Sequence, residues 1–278
     1  TSMLWFLISK VYFENNTNIT DHFSLILFAL VGAVFMVSYS NLAMLFLGIE
    51  VLSICLYILA GSNFKNIFSN EASFKYFLMG SFATGFLLFG IALIYGVTAS
   101  FDLHVIATGI EKGTGDRTTW LYAGILMLIV GLAFKISAVP FHFWAPDVYE
   151  GSPTVVTAFM STIVKIAAFA AFFRLFSTCF GSVYSEWVDV VQIITIATLL
   201  VSNITAVYQH SVKRILAYSS VAHAGYLLIA LVAMNNISAS AILYYAIAYA
   251  VASITAFTVL HNVETEDENA VVDSFNRL

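Results

Sequence analysis

Charged side chains are scarce in this chain: Asp, Glu, Lys and Arg make up 10% of its 278 residues, against 60% hydrophobic. A water-soluble domain carries about 25% charged residues, so a soluble globular fold is excluded and an all-α membrane protein is indicated. The mean hydropathy of +0.91 agrees. The net charge of -5 says little, because in a membrane protein the side on which charges lie matters more than their sum. No basic patch suited to nucleic acid is present. Cysteine is rarer still: Cys55 and Cys179 lie in or beside apolar runs at no metal-ligand spacing. They read as small packing residues, and iron–sulfur or zinc ligation is not supported. There is no phosphate-cradling glycine loop, no CxxC, and no nucleophile with a base and an orienting acid, so nothing supports catalysis by the chain's own side chains. Any redox chemistry belongs elsewhere. The chain also lacks an initiating methionine and a cleavable signal, and its first apolar run, Met3 to Phe13, is too short to span a bilayer. It is expected to be a piece of a longer chain that enters partway through a helix.

What is present is organised around residues 121 to 176, two long apolar runs joined by an acidic elbow that holds all three prolines, Pro140, Pro146 and Pro153. Each run has a lysine near its middle, Lys135 and Lys165. A charge at a bilayer centre costs about 2.5 to 3.5 kcal/mol even on lenient insertion scales, so two in adjacent spans require an explanation in function.

About 20 apolar residues are needed to span, and eight segments qualify: 22–39, 41–60, 74–98, 119–145, 154–176, 187–208, 214–234 and 239–260. The polar run Glu14 to Asp21 introduces the first. The fourth, at roughly 40 Å if straight, exceeds a hydrocarbon core of about 30 Å. Proline removes a backbone donor, so a break is expected between Lys135 and Pro140, with freed carbonyls facing a polar cavity. A merely kinked packing helix is the bland alternative. Counting basic residues puts Lys10, Lys65, Lys75, Lys213, Arg214 and Arg277 on one side and Lys112, Arg117 and Arg174 on the other. The positive-inside rule then makes both ends, and the elbow, cytoplasmic.

Four titratable groups lie at membrane depth: Glu50, Lys135, Lys165 and His223. Glu50 is too far from either end of its run to snorkel, and must face protein or water. Burial disfavours a charged lysine and a nearby carboxylate restores it, so moving Glu50 can switch the proton on Lys135. A proton released there can pass toward Lys165, with water, Ser137, Thr162 and Ser219 or Ser220 bridging. The alternatives are a static buried ion pair between Glu50 and Lys135, and a His223 satisfied by neighbouring hydroxyls. In the elbow, Asp147 and Glu150 read as solvated charges or helix caps, and Phe141, His142 and Trp144 as an interfacial belt.

Residues 135 to 153, KISAVPFHFWAPDVYEGSP, followed by TVVTAFMSTIVKIAAFAAF, resemble the proton-conducting antiporter-like subunits of respiratory complex I, the proton-pumping NADH:quinone oxidoreductase. Subunits L and M and the multisubunit cation/proton antiporters are similar, but share K-x-x-x-x-P-x-H-x-W-x-P-D-A; PDVYEGSP and VKIAAFAAF here favour the subunit N branch. The likeness runs from Phe23 to His261 and includes FLGIEVLSICLYILAG, KYFLMGSFATGFLLFGIALIYG and KRILAYSSVAHAGYLL.

The resemblance implies a polytopic transmembrane helix bundle with inverted five-helix repeats, of which these spans would be helices four to eleven. The first repeat is then 22–176 and the start of the second 177–260, flanked by a partial helix and polar loop at 1–21 and an acidic cytoplasmic tail at 261–278. It implies a proton relay through Glu50, Lys135 and Lys165, with His223 at a matching position of less defined role. It also implies no cofactor on this chain, with NADH, FMN, iron–sulfur clusters and quinone handled by other membrane-arm and peripheral-arm subunits. The setting would be the inner membrane of a bacterium, where the glycosylation-type triplets Asn15-Asn16-Thr17 and Asn18-Ile19-Thr20 carry no weight. The competing readings are a subunit of a multisubunit cation/proton antiporter and a purely structural membrane subunit.

Overall fold

The computed structural model describes residues 1–6, 9 and 19–266, and these are almost wholly helical. The glycosylation-type triplet at Asn15, most of the polar run before Asp21 and the tail beyond Glu266 lie outside the described residues. Among the described residues eight helices are long and apolar enough to cross a membrane, and the chain is a membrane protein. In order they are α1 (Ile19–Ser38), α2 (Leu42–Ala60), α3 (Ile67–Thr98), α5 (Thr118–Lys135), α7 (Thr154–Cys179), α8 (Tyr184–Val207), α9 (Val212–Ala233) and α10 (Ser238–Glu266). Two short helices, α4 (Leu103–Glu111) and α6 (Trp144–Gly151), complete the set.

Caps and small residues explain much of this layout. Asn41 starts α2 by accepting the backbone N–H of Met44 at 2.8 Å, and Asn66 starts α3 by accepting that of Phe68 at 2.9 Å. Lipid offers no hydrophobic drive between spans, so helices associate where small residues permit close packing. Gly32 of α1 and Gly48 of α2 show this: a Cβ at Gly32 would lie 2.7 Å from the backbone N of Leu52. The pairs α1–α2, α3–α5 and α8–α9 pack closely, and α1, α2, α5, α9 and α10 touch α7, the most deeply buried span. The indole of Trp5, in the helical turn 2–6, closes one face of α7 by donating to the Val155 carbonyl at 2.8 Å.

α5 breaks where expected. It ends at Lys135, Ser137 takes a left-handed conformation at φ +61°, and the chain passes through Val139–Pro140 into α6. Two of the groups at the break have protein partners. Trp144 Nε1 donates to the Phe134 carbonyl at 3.1 Å, and Thr198 Oγ1 of α8 accepts the Val139 N–H at 3.0 Å. Three local expectations are corrected here. The elbow is an eight-residue helix, not a loop. Trp144 and His142 are buried, with Trp144 stacked on Tyr76 at 4.6 Å between centroids, so only Phe143 of this stretch is freely exposed. Asp147 and Glu150 cap nothing: α7 starts at Thr154 without a side-chain cap.

Candidate functional site

Glu50 of α2 and Lys135 of α5 come near one another, Glu50 from a half-buried position and Lys135 from a buried one. Lys135 is 6% exposed, at the C-terminal residue of α5, where the helix dipole favours a cation. Its ammonium does not pair with Glu50. Lys135 Nζ donates to Ser53 Oγ at 2.8 Å, and Ser53 Oγ donates in turn to the Ile49 carbonyl at 2.5 Å. Glu50 Oε1 is buried with no hydrogen-bond partner, yet the carboxylate is near enough for its charge to act on Lys135. The expected pair is therefore open in this structure, with a serine hydroxyl in the place of the carboxylate. A small cleft beside the ammonium is lined by Ser53, Tyr57, Gly80, Thr84 and Phe134.

Lys165 lies 2% exposed in the middle of α7, directly after a π-helical turn, Met160–Val164. Widened turns of this kind release backbone carbonyls and are frequent at functional sites. Here the released Ser161 carbonyl accepts from Tyr249 Oη at 3.0 Å. Lys165 Nζ donates to the Ser220 carbonyl of α9 at 2.7 Å. Ser220 Oγ is 2.9 Å from the same Tyr249 Oη, and the Tyr249 ring packs on His223 at 4.7 Å. His223 Nδ1 meets Tyr245 Oη at 2.6 Å and feels the charge of Lys165.

The four expected residues thus fall into two clusters. Glu50 and Lys135 share one, with Ser53; Lys165 and His223 share the other, through Ser220 and Tyr249. Among the described residues no hydrogen bond joins Lys135 to Lys165. Of the expected bridges none joins the two lysines: Ser220 meets Lys165 and Tyr249 only, Thr162 bonds back to the Ala158 carbonyl of its own helix, and Ser137 Oγ is buried without a partner. Ser53, Tyr245 and Tyr249 were not visible as site residues. Ser53 stands three positions after Glu50, which is the one signal that could have found it.

At the end of the bundle beside the elbow, Asp147 binds Lys75 of α3 at 2.8 Å and Arg214 of α9 at 3.0 Å, and Arg214 also binds Glu150 at 2.8 Å. Lys213 binds Glu264 of α10 at 3.1 Å, and the same carboxylate accepts the Thr154 hydroxyl. Burial works against the Asp147 charge, but the hydrogen bonds from Lys75 and Arg214 outweigh it and hold its carboxyl below the ordinary value of 3.8. Burial pushes His142 down, with a backbone hydrogen bond at Pro140 opposing. At the opposite end Arg174 donates to the Val37 carbonyl at 2.9 Å. No cluster of His, Cys, Asp and Glu among the described residues could hold a metal ion.

Comparison with known proteins gives this geometry a context. A family model described as NADH:quinone oxidoreductase/Mrp antiporter, transmembrane, matches residues 39–277. The NADH-quinone oxidoreductase subunit N of Flavobacterium psychrophilum is 50% identical over 100% of this chain and 60% of its own length. The chain therefore spans about 60% of the length of the curated relatives it matches. Among solved structures, a chain of respiratory complex I from Thermus thermophilus aligns with a TM-score of 0.74 at 38% identity, covering 87% of this chain and 51% of that one. A chain of the Mrp complex from Dietzia aligns at 0.77 with 25% identity, covering 86% of this chain and 44% of that one.

Proposed function

The chain belongs to the NADH:quinone oxidoreductase/Mrp antiporter transmembrane family, and from that premise we propose that it translocates protons within the membrane arm of an NADH:quinone oxidoreductase. The observation that carries the reading is the pair of lysines buried inside the helix bundle, each held by an uncharged oxygen: the Ser53 hydroxyl for Lys135 and the Ser220 carbonyl for Lys165. An ammonium without a carboxylate partner releases its proton more readily than one in an ion pair. Glu50 is the carboxylate that can restore the pair, so its approach loads Lys135 and its withdrawal unloads it. Lys165 is the next acceptor, and His223, hydrogen-bonded to Tyr245 and packed on the Tyr249 ring, stands beside that cluster as a further proton-accepting group. Quinone reduction supplies the driving force in this reading, with NADH, FMN, iron–sulfur clusters and quinone bound by other subunits.

Residues 22–176 are proposed as one five-helix repeat and 177–260 as the start of an inverted second. The break in α5 and the π turn in α7, both beside a buried lysine, support a functional unit ending near Phe176. The elbow end, with Lys75, Lys213 and Arg214, is proposed to face the cytoplasm of a bacterium, and the Arg174 end the other side of its inner membrane. A cation/proton antiporter subunit is the second reading, favoured by the close fit to the Mrp chain; the higher identity to the complex I chain, 38% against 25%, argues for the first.

The test is proton pumping by the reconstituted whole complex carrying Lys135→Ala or Glu50→Gln, with assembly checked in the same membranes. The expected result is an assembled complex that no longer pumps and turns over NADH and quinone much more slowly. Intact pumping would reduce both residues to structural charges, and sodium-dependent transport would favour the antiporter reading.

A further inference from the structure

We propose that Ser53 is a second resting partner for the Lys135 ammonium, a positioning residue that holds Lys135 away from Glu50 between proton transfers. The inference rests on the relay reading above. Ser53 is one turn beyond Glu50 on α2, so two acceptors of different charge stand side by side on one helix face. In this structure the neutral one is occupied: Lys135 Nζ is 2.8 Å from Ser53 Oγ. The charged one is idle, with Glu50 Oε1 buried and unpartnered.

The direction of the serine hydrogen bond matters. Its single proton goes to the Ile49 carbonyl at 2.5 Å, which leaves only lone pairs toward the lysine. Ser53 therefore holds Lys135 as an acceptor, and has no proton of its own free to exchange in that geometry. The residue is 2% exposed. The small cleft bounded by Tyr57, Gly80 and Thr84 adjoins both Ser53 and Lys135. Without the hydroxyl, Glu50 is the carboxylate acceptor left on α2 for Lys135, with the Tyr57 hydroxyl the neutral alternative; the ion pair is favoured and proton release slows.

The experiment uses the assembled complex carrying Ser53→Ala, Ser53→Thr, Lys135→Ala or Glu50→Gln. Ser53→Ala is expected to lower pumping-linked turnover about tenfold, the scale of one hydrogen bond to a charged group, while Ser53→Thr stays within about twofold of the parent. Infrared difference spectra give a readout independent of rate. The carboxylate band that Glu50→Gln removes should shift in Ser53→Ala, where Lys135 moves onto Glu50, and stay in place in Ser53→Thr. If Ser53→Ala does not assemble, Ser53→Cys keeps the volume, weakens the acceptor and takes its place. The proposal is overturned if Ser53→Ala turns over like the parent with an unshifted band, or if Ser53→Thr is impaired as badly as Ser53→Ala. Lys135→Ala separates the two levels: pumping that survives it sinks the relay itself, whereas pumping lost there but kept in Ser53→Ala sinks only the role of Ser53.

Discussion

Gly80 shows how little room single residues have around the Lys135 cleft. A Cβ at this position would lie 2.0 Å from Tyr57 Oη, and Tyr57 is wedged edge-on against Tyr76 at 4.8 Å between centroids. Gly80→Ala must push the phenol out of the cleft, and overpacking of this kind costs about 1 to 3 kcal/mol. Lower thermal stability of the detergent-solubilised complex is the expected outcome, only partly recovered in Gly80→Ala with Tyr57→Phe because the ring carbon Cζ would still lie 2.7 Å from the new Cβ. At this scale the sequence was partly legible. Glu50, Lys135 and Lys165 stood out because a charge deep in an apolar run is costly wherever it ends up. Ser53, Tyr245 and Tyr249 did not, because hydroxyls are common in spans and only a neighbour across the bundle makes one a partner. Trp144 was read as interfacial on residue type; its burial follows from the orphaned Phe134 carbonyl it satisfies.

Among the elements, the broken helix depends on groups outside itself. Thr198 Oγ1 accepts the Val139 N–H and donates to the Ile194 carbonyl at 2.6 Å, so α8 completes the backbone of the break. Thr198→Val keeps the shape and orphans a buried N–H, a loss of about 1 to 3 kcal/mol. The yield of assembled complex should fall, measured against Thr198→Ser, which keeps the hydroxyl. The short helix α6 is held in turn by Asp147 between Lys75 and Arg214. Asp147 titrates below its ordinary value when folded, so its contribution is fully present at neutral pH and is lost as pH falls below about 4 through the folded value. Acid melting curves of the solubilised complex should show this loss, and Asp147→Asn should lie lower at neutral pH with a shallower acid dependence. The break itself was readable from span length and Pro140, whereas the π turn in AFMSTIVK, with neither proline nor glycine, carried no local signal. Nor was α4 anticipated, although Asp102, which caps it by accepting the His104 N–H at 2.9 Å, precedes an apolar-periodic stretch. The third span begins at Ile67 and not at 74 because the Asn66 cap lets a polar turn join the helix.

For the whole molecule, sidedness is the property to measure. Lys65 and Lys112 are both exposed, in opposite end loops, and the native cysteines are buried. With Lys65→Cys and Lys112→Cys in separate complexes, an impermeant thiol reagent should label the first in inverted vesicles and the second in right-side-out ones. The reverse pattern would overturn the proposed orientation. Eight spans, their approximate limits, the break and the buried charges were determined by the sequence alone, because apolar length and the cost of an intramembrane charge are local quantities. Which oxygen each lysine holds was decided only by the tertiary structure. Glu50 and Lys135 are 85 residues apart in sequence, and nothing local distinguishes an ion pair between them from an ammonium resting on Ser53. That choice depends on how the bundle brings the Lys135 side chain of α5 to within 2.8 Å of Ser53 on α2.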